Sequence, residues 1–184
     1  MDTPVSLLER MRQAPDDAAW RRLVQLYTPL LFYWARRAGE SEHDAADLVQ
    51  DVFAILVTAL PQFQVRPGGG FRAWLRTITL NKLRERKRRE ALARQVPLTD
   101  EPELPDGAED FWETEYQQAL TRRALQLMQT DFAPATWKAC WESVAKGRPA
   151  LEVGRELGIS ENAVYIARCR VLRRLRQELH GLLE

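Results

Sequence analysis

Residues 150–165 read ALEVGRELGISENAVY, and this stretch decides the fold. From Ala150 to Leu157 the apolar residues recur three and four apart, the spacing of a helix face. Gly158 suits the left-handed conformation that closes a helix, Ile159 can plug the angle between two helices, and Ser160 can cap the second. The pattern predicts a helix-turn-helix whose second helix runs from Glu161 to about Leu179, with Val164, Ala167, Val171, Leu172, Leu175 and Leu179 as its buried stripe. Ser160, Glu161, Asn162, Tyr165, Ile166 and Arg168 then stand at the end a recognition helix offers to a major groove. Asn and Arg read base edges, whereas Arg170, Arg173, Arg174 and Arg176, further along, are placed to grip phosphates. A helical hairpin with no role on DNA is the competing reading.

Outside this motif the chain continues in helical periods, and no window alternates over the length of a strand. Helices are expected around Gln117–Thr130 and Pro134–Lys146. Another is expected over Asp16–Arg37, stopping near Gly39 and kinked at Pro29. Ser41 followed by Asp44 opens a further one, with Ala45, Leu48, Val49, Val52, Leu56 and Ala59 on one face and Asp44, Asp47, Gln50 and Asp51 on the other. By spacing alone the carboxylates read as a solvated face favourably placed near a helix N-terminus. From Phe71 to Glu90, Phe71, Trp74, Leu75, Ile78 and Leu83 interleave with basic residues. That mixture can stack bases and neutralise phosphates, although Phe71 and Trp74 themselves are expected to pack inward.

The net charge of +1 over 184 residues hides three blocks. Arg66–Arg94 carries ten Lys or Arg against two Glu, net +8; Val96–Gln118 carries eight Asp or Glu and no cation, net −8; Lys146–Arg176 carries eight cations against three Glu, net +5. The acidic block also holds Pro97, Pro102, Pro105 and Gly107, a composition that opposes helix and strand and favours an extended, self-repelling tether. It divides the chain into an expected first domain over 1–95, a linker over 96–114 and a second domain over 115–184. The fold class is therefore all-α, two small helical domains with the helix-turn-helix in the second.

Chemistry is sparse. Two cysteines and two histidines have no metal-site spacing, and the Gly68-Gly69-Gly70 triplet lacks the Lys-Ser or Lys-Thr of a phosphate loop. No nucleophile–base pair stands out, so an enzyme is the weakest reading and no cofactor or metal is expected. A stand-alone helix-turn-helix repressor and a helical adaptor for other proteins remain as alternatives. The first residues lack the apolar run of a signal peptide, and membrane insertion is not expected.

Three segments, in order, resemble an extracytoplasmic-function (ECF) sigma factor of bacterial RNA polymerase. Asp44-Ala45-Ala46-Asp47-Leu48-Val49-Gln50-Asp51-Val52-Phe53 resembles the helix that docks on the polymerase clamp. Phe71-Arg72-Ala73-Trp74-Leu75-Arg76-Thr77-Ile78-Thr79-Leu80-Asn81 resembles the segment that opens and captures the minus-ten element. Leu151 to Tyr165 resembles the helix-turn-helix that reads the minus-thirty-five element. Asn162-Ala163-Val164-Tyr165, with Arg170 to Leu175, is similar to a planctomycete-rich subset. The resemblance implies core-polymerase contact by Asp47, Gln50, Asp51 and Phe53. It implies minus-ten contact by Phe63, the loop to Gly70, Ile78, Asn81, Arg84, Lys87 and Arg88. It implies minus-thirty-five contact by Ser160, Glu161, Asn162, Tyr165, Arg168 and Arg173. Implied partners are core RNA polymerase, promoter DNA and an anti-sigma protein; the free chain is expected to be a monomer, cytoplasmic and nucleoid-associated. The acidic connector resembles the linker that threads toward the RNA exit path, and a plain spacer is its equal alternative. Glu85 stands where the family commonly has Asp, and Gly154 where it usually has Ala, a change expected to loosen the first helix of the motif.

Overall fold

A computed structural model describes residues 6–13, 16–64, 70–95 and 110–183, which are all-α, with no strand among them. Asp16 caps α2 (Asp17–Arg37) by accepting the Ala19 amide at 2.9 Å, and the Arg10 guanidinium from α1 (Leu7–Gln13) holds the same carboxylate. The helix continues through Pro29 and ends at Gly39, whose φ of 90° closes it. Gly39 donates to the Arg36 carbonyl and Glu40 to that of Ala35, so the last carbonyls are satisfied by a Schellman turn. Ser41 then caps α3 (Glu42–Ala59) through the Asp44 amide. Its buried Ala45, Leu48, Val49, Val52 and Leu56 are members of the apolar face read from sequence. A 3₁₀ turn, Leu60–Gln62, precedes α4 (Phe71–Ala93), which buries Phe71, Leu75, Thr79, Leu80 and Leu83.

Phe111–Glu115 forms a π-helical turn leading into α5 (Tyr116–Met128). Residues 96–109 of the acidic linker lie outside the described residues, but its end differs from the expectation. Phe111 and Trp112 are buried, and with Tyr116, Leu120 and Ala124 they share one core with α2, α3 and α4. Two large rings one residue apart, followed by Tyr116, bury enough apolar surface to order this segment despite the surrounding carboxylates. Leu179, the last residue of the second helix of the helix-turn-helix, and Leu182 just beyond it enter the same core.

The helix-turn-helix has its own, smaller core: Ala139, Ala150, Val153, Val164 and Ala167, with Leu157 and Ile159 partly buried against it. Ala139 comes from α6 (Pro134–Cys140), which passes into a second π turn, Trp141–Ala145. α7 (Ala150–Leu157) closes on Gly158 at φ 68°, with Ile159 donating to the Gly154 carbonyl at 2.9 Å. Ser160 caps α8 (Glu161–Leu179) by accepting the Ala163 amide at 3.1 Å.

Gly154 is a tightening device rather than the loosening one its helix propensity suggests. A Cβ there would lie 2.8 Å from the Ile159 carbonyl oxygen and 3.4 Å from the Glu161 nitrogen, both backbone atoms that cannot swing away. Gly154→Ala gains about 0.5–1 kcal/mol of helix preference but costs about 1–3 kcal/mol of overpacking. The expected result is a lower thermal midpoint, a net loss of about 1 kcal/mol. A raised midpoint would show that the two helices separate freely.

Candidate nucleic-acid interface

The carboxylates of α3 and the basic run of α4 meet around one side chain. Arg86, only 14% exposed, lies 3.1 Å from Asp44, 3.7 Å from Asp51 and 4.0 Å from Asp47 and from the buried Glu40. One guanidinium among four carboxylates leaves a negative excess, and Asp47 and Asp51 keep 43% and 40% of their side-chain surface in solvent. Gln50 is exposed beside them, and Phe53 is partly buried against the core. The Ser41 hydroxyl, then the Arg86 charge, hold the Asp44 carboxyl below its ordinary range. Burial, reinforced by Glu90, pushes Glu40 up. The α3 face is thus a row of aimed carboxylates, suited to a cationic partner surface.

On α4, Asn81 and Arg88 are exposed, Arg84 is half-buried, and the Lys87 ammonium reaches the Ala38 carbonyl at 3.5 Å. Ile78 packs partly against the core. Phe63 is 7% exposed, with its ring centroid 4.6 Å from Trp74 and edge-on to Phe71, so in this arrangement it presents no open face to a base. Phe71 is buried and Trp74 partly so, the inward packing expected of both. Of the loop to Gly70, residues 65–69 lie outside the described residues.

At the start of α8, Glu161, Asn162, Tyr165 and Ile166 are exposed, as is Ser160, whose hydroxyl is engaged as the cap. Tyr165 donates to the Glu161 carboxylate at 3.2 Å, and the Arg168 guanidinium lies over its ring at 5.7 Å. Three of the predicted contacts are therefore held as a set by neighbours one turn apart. Arg173 is exposed further along the helix. Sequence reasoning missed Arg86 as the organiser of the α3 face; its place in an otherwise solvated Arg run gave no local signal.

Behind the motif, Glu142 is bridged by Lys146 at 2.7 Å and Arg148 at 3.0 Å, and Arg148 also reaches Glu156 at 2.7 Å. Lys146, then Arg148, lower the Glu142 carboxyl; Arg148, then Lys138, lower Glu156. A depressed folded pKa gives stability that is present above the unfolded value, near 4, and is lost as pH falls through the folded one. The thermal midpoint should fall from pH 5 toward pH 3, and Glu142→Gln with Glu156→Gln should flatten that slope. An unchanged slope would show that these bridges contribute nothing.

The Sigma-70 region 2 family model matches residues 23–92. The chain is 30% identical over 147 residues to the ECF RNA polymerase sigma factor ShbA of Streptomyces griseus, covering 77% of this chain and 74% of that protein. It is 26% identical over 146 residues to the ECF RNA polymerase sigma factor SigE of Mycolicibacterium smegmatis, covering 79% of this chain and 56% of the relative. Over 81 residues it is 38% identical to the RNA polymerase sigma factor NccH of Alcaligenes xylosoxydans, 44% of this chain and 42% of that one. The chain thus spans about half the length of two of these relatives. Among the described residues no helix is long and apolar enough to cross a membrane.

Proposed function

This chain belongs to the ECF RNA polymerase sigma factors, a family of non-enzymatic transcription initiation factors, and we propose that it brings core RNA polymerase to promoters through two lobes. The first lobe, residues 1–95, binds core polymerase through Asp47, Gln50, Asp51 and Phe53. It captures the minus-ten element with Phe63, Ile78 and Asn81 around an unstacked base and Arg84, Lys87 and Arg88 on the backbone. Capture at Phe63 requires its ring to turn away from Trp74. The second lobe, residues 115–184, reads the minus-thirty-five element through Ser160, Glu161, Asn162, Tyr165, Arg168 and Arg173, with residues 96–114 between the lobes. Opening duplex costs about 1.4 kcal/mol per stacked step, and each captured base returns about 1–3 kcal/mol, so a few bases hold a short bubble without nucleotide hydrolysis. The site of action is the cytoplasmic nucleoid, an anti-sigma protein is a further partner, and the α8 sequence resembles that of the planctomycete-rich subset.

The observation that carries this reading is the exposed recognition face of α8, ordered by the Glu161–Tyr165–Arg168 set, on the same chain as the Sigma-70 region 2 match. The test is to mix the full chain with sigma-free core polymerase and genomic template and to sequence the transcript starts. Starts at a recurrent two-part promoter are expected, and failure to direct any start would defeat the reading.

A further inference from the structure

Ile166 stands amid the recognition face of α8 without a polar atom to offer it. Its side chain is 44% exposed, and the residues one and two turns away on the same side, Asn162, Cys169, Arg170 and Arg173, are exposed as well. The buried Val164 and Val171 lie on the opposite side of the helix. A lone exposed apolar side chain is ordinary on a protein surface. This one differs in its surroundings. It lines a cavity of about 210 Å³ between α8 and the start of α6, together with Ala135, Ile159, Ala163, Ala167 and Arg170, and no carboxylate lines that cavity. Its branched Cβ leaves one strongly preferred χ1 rotamer in a helix, so the apolar tip is aimed and has less entropy to lose on contact than a long flexible side chain.

In a major groove such a tip has one suitable partner. Of the four bases only thymine carries an apolar substituent on its groove edge, the C5 methyl; the other edges show amino, carbonyl and ring-nitrogen groups. Ile166 neither donates nor accepts, and pressing it on those polar groups would strip them of water and leave them unpaired. The Asn162 amide, one turn earlier on the same strip, can pair with adenine N6 and N7. Four residues advance about 6 Å along a helix, and base pairs stack about 3.4 Å apart. The two side chains therefore meet base pairs no more than about two steps apart.

Resting on the sigma-factor reading and on the recognition role of α8, we propose that Ile166 is a specificity-determining residue: it reads the C5 methyl of a thymine in the minus-thirty-five element, close to the pair read by Asn162. The element then needs thymine at that place for its methyl group, not for its hydrogen bonds.

The test uses holoenzyme assembled from core polymerase and the full chain, on the two-part promoter that its transcript starts define. Each thymine of the minus-thirty-five element, on either strand, is replaced in turn by deoxyuridine, which lacks only the methyl. The duplexes are titrated with holoenzyme carrying the parent chain or Ile166→Ala. At one position deoxyuridine should weaken parent binding about fourfold, the worth of one methylene-sized group removed from water, and should leave Ile166→Ala binding unchanged. Ile166→Gln, a good helix former, makes the same comparison if Ile166→Ala is unstable, and the scan on the parent chain needs no variant at all. No loss at any thymine, an equal loss with parent and variant, or an element without thymine would each overturn the methyl contact while leaving the sigma-factor reading intact. Failure of the parent chain to direct any start would defeat that reading, and this contact with it.

Discussion

Replacing Asp47 and Asp51 together by Ala is expected to weaken binding to core polymerase by roughly 25-fold or more while the chain stays folded. Both carboxylates project from the solvent side of α3, whose opposite face carries the packing. Losing one partner of a charge pair desolvated in an interface costs about 2–5 kcal/mol, and 1.4 kcal/mol is tenfold. Within the chain, Arg86 keeps Asp44 and Glu40, so its half-buried charge is not stranded. Titration of labelled chain with core polymerase measures the loss, and thermal unfolding checks the fold. Binding within a factor of two of the parent would show that polymerase does not use this face.

The second large effect belongs to the other lobe. Asn162→Ala with Arg168→Ala should reduce promoter binding by about 30-fold or more, since each bidentate base contact carries about 1–3 kcal/mol of discrimination, while assembly with polymerase is spared. Arg168 has an added part, because its guanidinium over Tyr165 holds that ring in place. The loss should be largest on templates with an intact minus-thirty-five element and small on those without one. If assembly fails and promoter binding survives, the two faces have been assigned the wrong way round.

Much of this architecture was legible in short segments. The Ser41 and Ser160 caps, the left-handed Gly158 and the inward α3 stripe follow from local rules of helix ends and 3.6-residue spacing, and the structure has each. What escaped was long-range. Glu178 reads as one more charge in a basic helix, yet it is buried against Arg22, 156 residues away. Phe111 and Trp112 stand in a run of carboxylates that reads as tether, and only the core they enter explains their order. Their one signal was size, two of the largest apolar side chains one residue apart with Tyr116 close behind. Gly154 was misread for a related reason: propensity scores a residue within its own helix, and the backbone it must clear belongs to the turn and to the next helix. Site residues divided in the same way. The outward residues of α3 and α8 lie where periodicity puts them, whereas the burial of Phe63 depends on Phe71 and Trp74, which spacing alone does not bring to it.

The ring pair Trp34–Trp112, with centroids 6.0 Å apart and both side chains shielded from water, gives the molecule a built-in optical gauge. Any event that pulls the Phe111–Glu115 turn off α2 would wet both indoles at once and shift their emission to the red. Ultraviolet fluorescence can therefore follow that separation in unlabelled protein, in real time, once the four less shielded indoles, Trp20, Trp74, Trp137 and Trp141, have been replaced by Phe to darken the background.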